Sequence, residues 1–174
     1  MIKSTLKLVA AIVLFASCNQ YEKAPSGMLY KITHGSGNSK PLAQGQYVKL
    51  NIEYKLKSKD TVLSSTYGVI PVYFPIDTTR LGKYTFTEII TKCKKGDKIE
   101  FSLSIDTLVK MGAVQVNEVF KAKDIILGKA EILNVFADVT KVDDDYKKEM
   151  AAEKNREINT IKAYLAKNKI NAVQ

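Results

Sequence analysis

The sequence predicts an α+β fold in which an antiparallel sheet wraps one short helix and is followed by a carboxyl-terminal helical arm. Two observations lead to this prediction. Several segments alternate apolar and polar residues with a period of two, which is typical of a sheet with one face in the core and one in water. A short stretch in the middle of the chain, and the chain after Asp143, instead carry helical spacing.

The first half of the chain contains the clearest strand. Residues 28–33 alternate as a first strand, and residues 47–57 alternate over their whole length. The apolar positions of this second strand are Val48, Leu50, Ile52, Tyr54 and Leu56, and the polar positions are Lys49, Asn51, Glu53, Lys55 and Lys57. We expect the apolar set in the core and the polar set in water. A turn at residues 58–60 then leads into a third strand over residues 61–66.

The middle of the chain predicts an edge strand and then the short helix. Prolines 71 and 75 confine the extended stretch 70–76 to an edge or a bulge, because proline cannot donate to the ladder. Thr85 and Glu88 have the spacing of a capping box, and Gly96 is placed to end the helix. The apolar residues at helical spacing are Phe86, Ile89, Ile90 and Cys93.

Two further strands and the arm complete the expected order. Residues 98–105 alternate, and residues 124–140 form a last long strand whose alternation slips around residues 133–136, which predicts a bulge. From Asp143 three aspartates begin a helix, where negative charge complements the helix dipole. Its apolar stripe is thin and broken at Lys154, so the helix is expected to be a projecting arm or an interdomain connector, or to pair with a second chain.

The amino terminus has the pattern of an export signal. Lys3 and Lys7 flank the apolar run 6–15, which is followed by Ala-Ser-Cys ending at Cys18. This ending resembles the lipobox of bacterial lipoproteins, and the resemblance implies lipidation of Cys18 and anchoring in the cell envelope. Asn19 is not the aspartate that resembles an inner-membrane retention signal, so the outer membrane is favoured. A buried amino-terminal helix with an incidental cysteine is the alternative.

Composition limits the classes of function. The chain has 174 residues and a formal net charge of +9, but its only arginines are Arg80 and Arg156. Scattered lysine without arginine indicates a solvated surface, so no nucleic-acid partner is expected. With Cys18 acylated, Cys93 has no disulfide partner and is expected in the core. A single histidine, His34, and the lack of paired cysteines predict no metal and no cofactor.

Several motifs together resemble the FKBP-type peptidyl-prolyl cis-trans isomerases. Residues 35–37, followed by 45–54, look like the glycine-rich turn of that family and the strand that ends in its pocket tyrosine. Residues 60–66 look like its next hairpin, and 94–98 like the motif after its helix. The resemblance extends from Gly27 to about residue 141, and the anchored form resembles a lipoprotein branch of the family. The chain is thus divided into a signal (1–17), a tether (18–26), an FKBP-like domain (27–141) and a charged helix (142–174).

The resemblance also implies a non-covalent proline pocket. Tyr54 matches the pocket tyrosine, Phe74 matches an aromatic residue of the middle strand, and Phe86 stands where the family has its tryptophan floor. Val62 replaces an aromatic wall residue, and Leu63 replaces the pocket aspartate. The three aromatic residues would equally suit an ordinary core.

These expectations define two functions from different classes. The first is weak isomerase or chaperone activity toward proline-containing peptides or unfolded envelope proteins, with the apolar segment 108–123 as a flap over the substrate. This segment could instead pack under the sheet. The second is a noncatalytic FKBP-like scaffold in a membrane-associated complex.

Overall fold

The computed structural model describes residues 20–36 and 39–170. The predicted signal (1–17) and the predicted lipidation residue Cys18 lie outside the described residues. No helix in the described part of the chain is long and apolar enough to cross a membrane. The boundaries of the predicted tether, domain and charged helix remain predictions.

The fold is an antiparallel sheet with few helices, which confirms the predicted α+β class. The strands are β1 (Glu22–Lys23), β2 (Leu29–Thr33), β3 (Tyr47–Leu56), β4 (Thr61–Ser65), β5 (Val72–Pro75), β6 (Lys98–Ser104) and β7 (Ile125–Phe136). Their order in the seven-stranded sheet is β1-β2-β6-β7-β3-β4, and β5 pairs with the first half of β3 beside β4. The helices are a 3-10 helix (Phe86–Lys92), α1 (Ile105–Lys110) and α2 (Val139–Lys167).

The inner face of the sheet forms the core with the 3-10 helix. The apolar positions predicted for β3 and β6 point into this core, and most are fully buried. The buried members are Val48, Leu50, Ile52 and Leu56 on β3, and Ile99, Phe101 and Leu103 on β6. Period-two alternation therefore predicts this face correctly. The predicted bulge in the last strand is also confirmed, because Lys49 pairs with Asn134 while Leu50 pairs with Ile132, which leaves Leu133 unpaired.

The predicted capping box does not form. The side chain of Thr85 makes no capping hydrogen bond, and the helix that follows is a 3-10 helix. Glu88 accepts instead from the backbone N–H groups of Tyr84, at 3.1 Å, and of Ser26, at 2.8 Å. The box is lost because Ser26, distant in sequence, competes for the Glu88 carboxylate. The helix also ends before Gly96, at Lys92.

The carboxyl-terminal helix starts earlier than expected. It begins at Val139 rather than Asp143, because the side chain of Asp138 accepts a hydrogen bond from the backbone N–H of Lys141 at 3.0 Å and so caps the helix. No residue of α2 is buried. Helix α1, which directly follows β6, was not predicted from the sequence.

The first turns of α2 lie on the outer face of the sheet, at a contact we call the arm junction. Lys49 is only 8% exposed. Its Nζ donates to Asp145 at 2.6 Å and to Glu149 at 2.7 Å. Tyr73 Oη donates to Asp145 at 2.5 Å, and the rings of Tyr73 and Tyr146 are in edge contact. The expectation that Lys49 faces water is therefore wrong, because α2 covers this position.

Candidate functional site

Four aromatic side chains form a continuous row between the sheet and the 3-10 helix. Tyr54 meets Phe101 edge-on with ring centroids 5.7 Å apart, and Phe101 stacks on Phe86 at 5.9 Å. Phe86 then meets Phe74 edge-on at 6.1 Å. These geometries are the favourable arrangements for aromatic pairs. We call these four residues the aromatic row.

Each ring of the aromatic row comes from a different element. Tyr54 lies near the end of β3, Phe101 in β6, Phe86 at the start of the 3-10 helix and Phe74 in β5. The two inner rings, Phe101 and Phe86, are buried, whereas Tyr54 and Phe74 at the two ends are only partly buried. A ligand can therefore contact the row only at its two ends, because the two central rings are covered by protein.

Tyr54 is the polar member of the row. Burial raises the pKa of its hydroxyl above the ordinary value, so the group is protonated at neutral pH. Within residues 20–36 and 39–170, the Tyr54 hydroxyl has no hydrogen-bond partner, and it is not sealed from solvent. A partly buried hydroxyl in this state can donate to a ligand carbonyl.

A bulge in β4 decides where Val62 and Leu63 point. Tyr54 pairs with Ser64 while Lys55 pairs with Val62, so Leu63 is the extra residue opposite this step. Leu63 packs partly buried against the core, beside the Tyr54 end of the row. Val62 is 50% exposed and does not join the row, so the structure gives no support to its role as a pocket wall.

Phe74 is separated from Tyr54 by two intervening rings. It contacts Phe86 but lies at the opposite end of the row from Tyr54. The structure therefore brings together Tyr54 and Phe86 through Phe101, and places Phe74 at the far side of Phe86. Sequence reasoning missed Phe101 as a site residue, because alternation identifies it only as one of several inward positions of β6.

A strained residue holds the two helical elements near the row. Tyr84 has a φ of 55°, which lies in the left-handed region that is costly for a side-chain-bearing residue. Its hydroxyl accepts a hydrogen bond from the backbone N–H of Ser104 at 2.9 Å. This contact ties the entry of the 3-10 helix to the start of α1. It fixes Phe86 relative to the end of β6 and the start of α1.

The segment predicted to form a flap consists of α1 and a loop. Leu108 belongs to α1 and is buried, whereas the loop residues Met111, Val116 and Val119 are exposed. The loop is held to the β3–β4 turn, because Lys59 Nζ donates to the carbonyl of Glu118 at 2.8 Å. Most of residues 110–123 is therefore exposed, whereas Leu108 is in the core and Val109, Val114 and Phe120 pack against the core partly buried.

Among the described residues, Cys93 and His34 are the remaining candidates for reactive chemistry. Burial raises the pKa of the Cys93 thiol to about 12, and Cys93 has no exposed surface. His34 Nδ1 lies 3.0 Å from the carboxylate of buried Asp97. Within the described ranges there is no group of three or more potential metal ligands. What the aromatic row offers is therefore non-covalent binding.

Solved structures match the fold of this chain at low sequence identity. FkpA from Escherichia coli matches with a TM-score of 0.51 at 20% identity, covering 71% of this chain and 55% of FkpA. This chain thus spans little more than half the length of FkpA. The peptidyl-prolyl cis-trans isomerase of Pseudomonas syringae pv. tomato matches at 15% identity, with a TM-score of 0.48 and coverage of 69% and 84%. AtFKBP13 matches at 16% identity, with a TM-score of 0.49 and coverage of 66% and 98%.

The fold is FKBP-like. This follows from the match to FkpA and from the strand order, and it confirms the predicted fold class. No protein-family model and no curated protein sequence matches the chain. At these identities the structural matches describe the fold alone.

Proposed function

We propose that the protein is an envelope lipoprotein with FKBP-type peptidyl-prolyl cis-trans isomerase activity. Its substrates are proline-containing peptides or unfolded envelope proteins. The observation that carries this proposal is the partly buried Tyr54 hydroxyl, which has no partner within the described residues and lies at the open end of the aromatic row. The FKBP-like fold supports the proposal, and so does the aromatic row that packs on its sheet.

The reaction requires little chemistry from the protein. Rotation about an X-Pro bond has a barrier of about 18–20 kcal/mol, because the amide loses its conjugation when it twists. An apolar surface that removes the amide from water stabilises the twisted amide relative to the planar isomers, because the twisted amide has less charge separation. A donor to a neighbouring backbone carbonyl of the peptide holds the chain in the twisted geometry. Tyr54 supplies the donor, while Phe86 and Phe101 supply the support beneath the apolar surface. No nucleophile or metal takes part.

The activity is expected to be weak. Leu63, at the bulge beside Tyr54, is apolar where the family resemblance has an aspartate, so one polar contact to the amide is missing. An unmade hydrogen bond in a buried site costs about 1–3 kcal/mol, which corresponds to about a tenfold to hundredfold loss of rate. The exposed apolar loop residues Met111, Val116 and Val119 favour relatively better action on unfolded chains than on short peptides.

Exchange NMR on a short proline peptide tests this proposal. The full chain is expected to accelerate cis-trans exchange, and Tyr54→Phe should lower the rate about threefold to tenfold by removing one hydrogen bond. Tyr47→Phe is the matched control, because Tyr47 lies at the start of the same strand, outside the row. Equal rates for the Tyr54→Phe and Tyr47→Phe proteins would place the site elsewhere.

The anchor is tested separately. Acylation needs the thiol of Cys18, so Cys18→Ser is expected to abolish labelling by a fatty-acid probe and to release the protein from membranes. Cys93→Ser is the control, because Cys93 is buried in the core and should not affect labelling. Unchanged membrane partition of the Cys18→Ser protein would contradict the lipoprotein proposal.

The second candidate is a noncatalytic FKBP-like scaffold in a membrane-associated complex. The apolar Leu63 beside Tyr54 favours it, and so does α2, which exposes Ile161 and Tyr164 beyond the arm junction. A folded chain that accelerates no proline exchange, on peptides or on unfolded proteins, would leave the scaffold as the better account.

A further inference from the structure

Most of helix α2 is not covered by the rest of the described chain. Its first turns contact the sheet through Asp145 and Glu149 at the arm junction. Beyond the junction the helix continues to Lys167, and none of its residues is buried. Helical stability in proteins comes mostly from packing of one face against a partner. The uncovered part of α2 is therefore a candidate surface for such a partner.

A row of regularly spaced residues runs along α2 on the side away from the sheet. Its members recur at alternating steps of three and four residues, which is the heptad spacing of helices that pair with another helix. They are Lys147, Met150, Lys154, Glu157, Ile161 and Tyr164, and we call them the α2 seam. All six are exposed, whereas Asp145 and Glu149 on the sheet side are partly buried. A second helix can therefore reach the seam without displacing the arm junction.

The charges of the α2 seam suit a second copy of the same helix in only one direction. In a parallel pair in register, Lys154 would face Lys154 of the second copy and Glu157 would face Glu157, so like charges would repel. In an antiparallel pair centred between residues 155 and 156, Lys154 faces Glu157 of the second copy, and this contact occurs twice. Met150 then faces Ile161 on each side of the centre. The seam is thus complementary to itself when the helices are antiparallel.

The contacts within one chain leave these charges available. Within the described residues, neither Lys154 nor Glu157 forms an ion pair, although Glu153 beside them pairs with Arg156. The two ends of α2 also differ in charge. Three aspartates lie at residues 143–145, whereas the described chain after Glu157 contains lysines and no acidic residue. Antiparallel pairing brings the basic end of one copy to the acidic start of the other.

We propose that two copies of the protein pair through the α2 seam, with the two helices antiparallel. The charged contacts of Lys154 with Glu157 set the direction and the register, and the contact of Met150 with Ile161 buries apolar surface beside them. The two FKBP-like domains lie at opposite ends of the paired helices, because the sheet contacts the first turns of α2 in each copy. This pairing does not depend on the proposed isomerase activity.

Sedimentation equilibrium of the full chain tests the pairing. Cys18→Ser is present in every sample, so that no lipid anchor associates the chains. The mass is expected to rise with concentration from that of one chain toward that of two. Lys154→Glu sets like charges against each other and should raise the dissociation constant about tenfold or more. Lys162→Glu is the matched control, because Lys162 is exposed, carries the same charge and lies beside the seam.

A charge exchange separates pairing from folding. Lys154→Glu combined with Glu157→Lys reverses both charges, so the two copies are complementary again and should pair nearly as tightly as the parent chain. Circular dichroism shows whether each variant is folded. A mass of one chain at every concentration, or no recovery in the folded double variant, would overturn the proposal. An equal loss in the Lys162→Glu protein would show that net charge, and not the seam, is responsible.

Disulfide trapping tests the direction of the helices. A chain with Met150→Cys mixed with a chain with Ile161→Cys should form a crosslinked pair on oxidation, whereas each chain alone should form none. Cys93 does not interfere, because it is buried in the core. A crosslink between two copies of the Met150→Cys chain, without one in the mixture, would mean that the helices are parallel and would contradict the proposal.

Discussion

The inner and outer faces of β3 are covered in different ways. The inner face packs against aliphatic side chains and ends in the aromatic row at Tyr54. The outer face, near the start of the strand, is covered by α2 through the charged contacts of Lys49 with Asp145 and Glu149. Apolar contacts therefore hold the candidate site, and charge pairs hold the arm. The two regions should respond differently to substitution and to pH.

The largest expected effect is on the inner face. Phe86→Ala removes a buried ring that contacts both Phe101 and Phe74, and should lower the free energy of unfolding by about 3–5 kcal/mol. Tyr164→Ala is the contrasting change on the arm, where the side chain is 61% exposed, and should stay within about 0.5 kcal/mol of wild type. Urea denaturation measures both. Similar losses in the two variants would contradict the difference between core and arm.

The next effect is on the outer face. Lys49→Met leaves two carboxylates without their shared partner and should destabilise docking of α2 by roughly 1–3 kcal/mol. Hydrogen exchange of the first turns of α2 reports this directly. Lys55→Met is the matched control, since Lys55 pairs with the highly exposed Asp60 and such pairs contribute about 0–1 kcal/mol. Unchanged exchange in the Lys49→Met protein would show that other contacts hold the arm.

The two faces of β3 also differ in how well the sequence predicts them. Alternation places the inner residues of β3 and β6 correctly, because burial of apolar side chains dominates there. The same pattern assigns Lys49 to water and fails, because the neighbours that bury it, Asp145 and Glu149, lie far away in sequence. Period two describes a strand but carries no information on what covers its polar face.

The candidate site was predicted only in part, and the reason is similar. The family resemblance supplied Tyr54 and Phe86, and the structure connects them through Phe101. Phe101 could not be singled out, because its position depends on Gly128 of another strand. The bulge that turns Val62 outward and Leu63 toward the core depends on strand pairing, which alternation does not specify. These features could not be predicted, because they depend on the register of β4 against β3 and on the close approach of the Phe101 ring to the backbone of Gly128.

The arm junction is also expected to depend on pH more strongly than the inner face of β3. Burial acts to raise the pKa of Asp145, but hydrogen bonds from Lys49 and Tyr73 outweigh it and hold the pKa below its ordinary value. Its contribution to stability is therefore present above about pH 4, the ordinary aspartate pKa, and is lost as the pH falls through the lower folded value. Hydrogen exchange of α2 should increase below pH 4 before the β3 core exchanges.

The same junction should weaken in strong alkali. Burial, followed by the hydrogen bond to Asp145, raises the pKa of Tyr73 to about 12. The neutral hydroxyl is favoured in the folded state, so its contribution is complete below the ordinary pKa of about 10 and is lost as the pH rises toward 12. Tyr73→Phe should reduce this alkaline loss. Simultaneous exchange of α2 and the core at both extremes of pH would contradict a separate junction.

The smallest effect concerns a single thiol under the 3-10 helix. Because burial raises the pKa of Cys93 to about 12, it should not react with a thiol reagent at pH 8 until the protein unfolds. Cys18→Ser protein isolates this thiol for the measurement. Rapid reaction of the native protein would mean that the inner face opens as readily as the arm.

The most direct test of the central claim is to locate the bound peptide by NMR. A proline peptide titrated into the full chain should shift the backbone amides of Tyr54, Leu63 and Phe101, and leave those of Lys49 and Asp145 in the arm junction unchanged. Tyr54→Phe should weaken the binding that these shifts report. Shifts confined to α2 and the arm junction, with none at the aromatic row, would contradict a proline site on the inner face of the sheet.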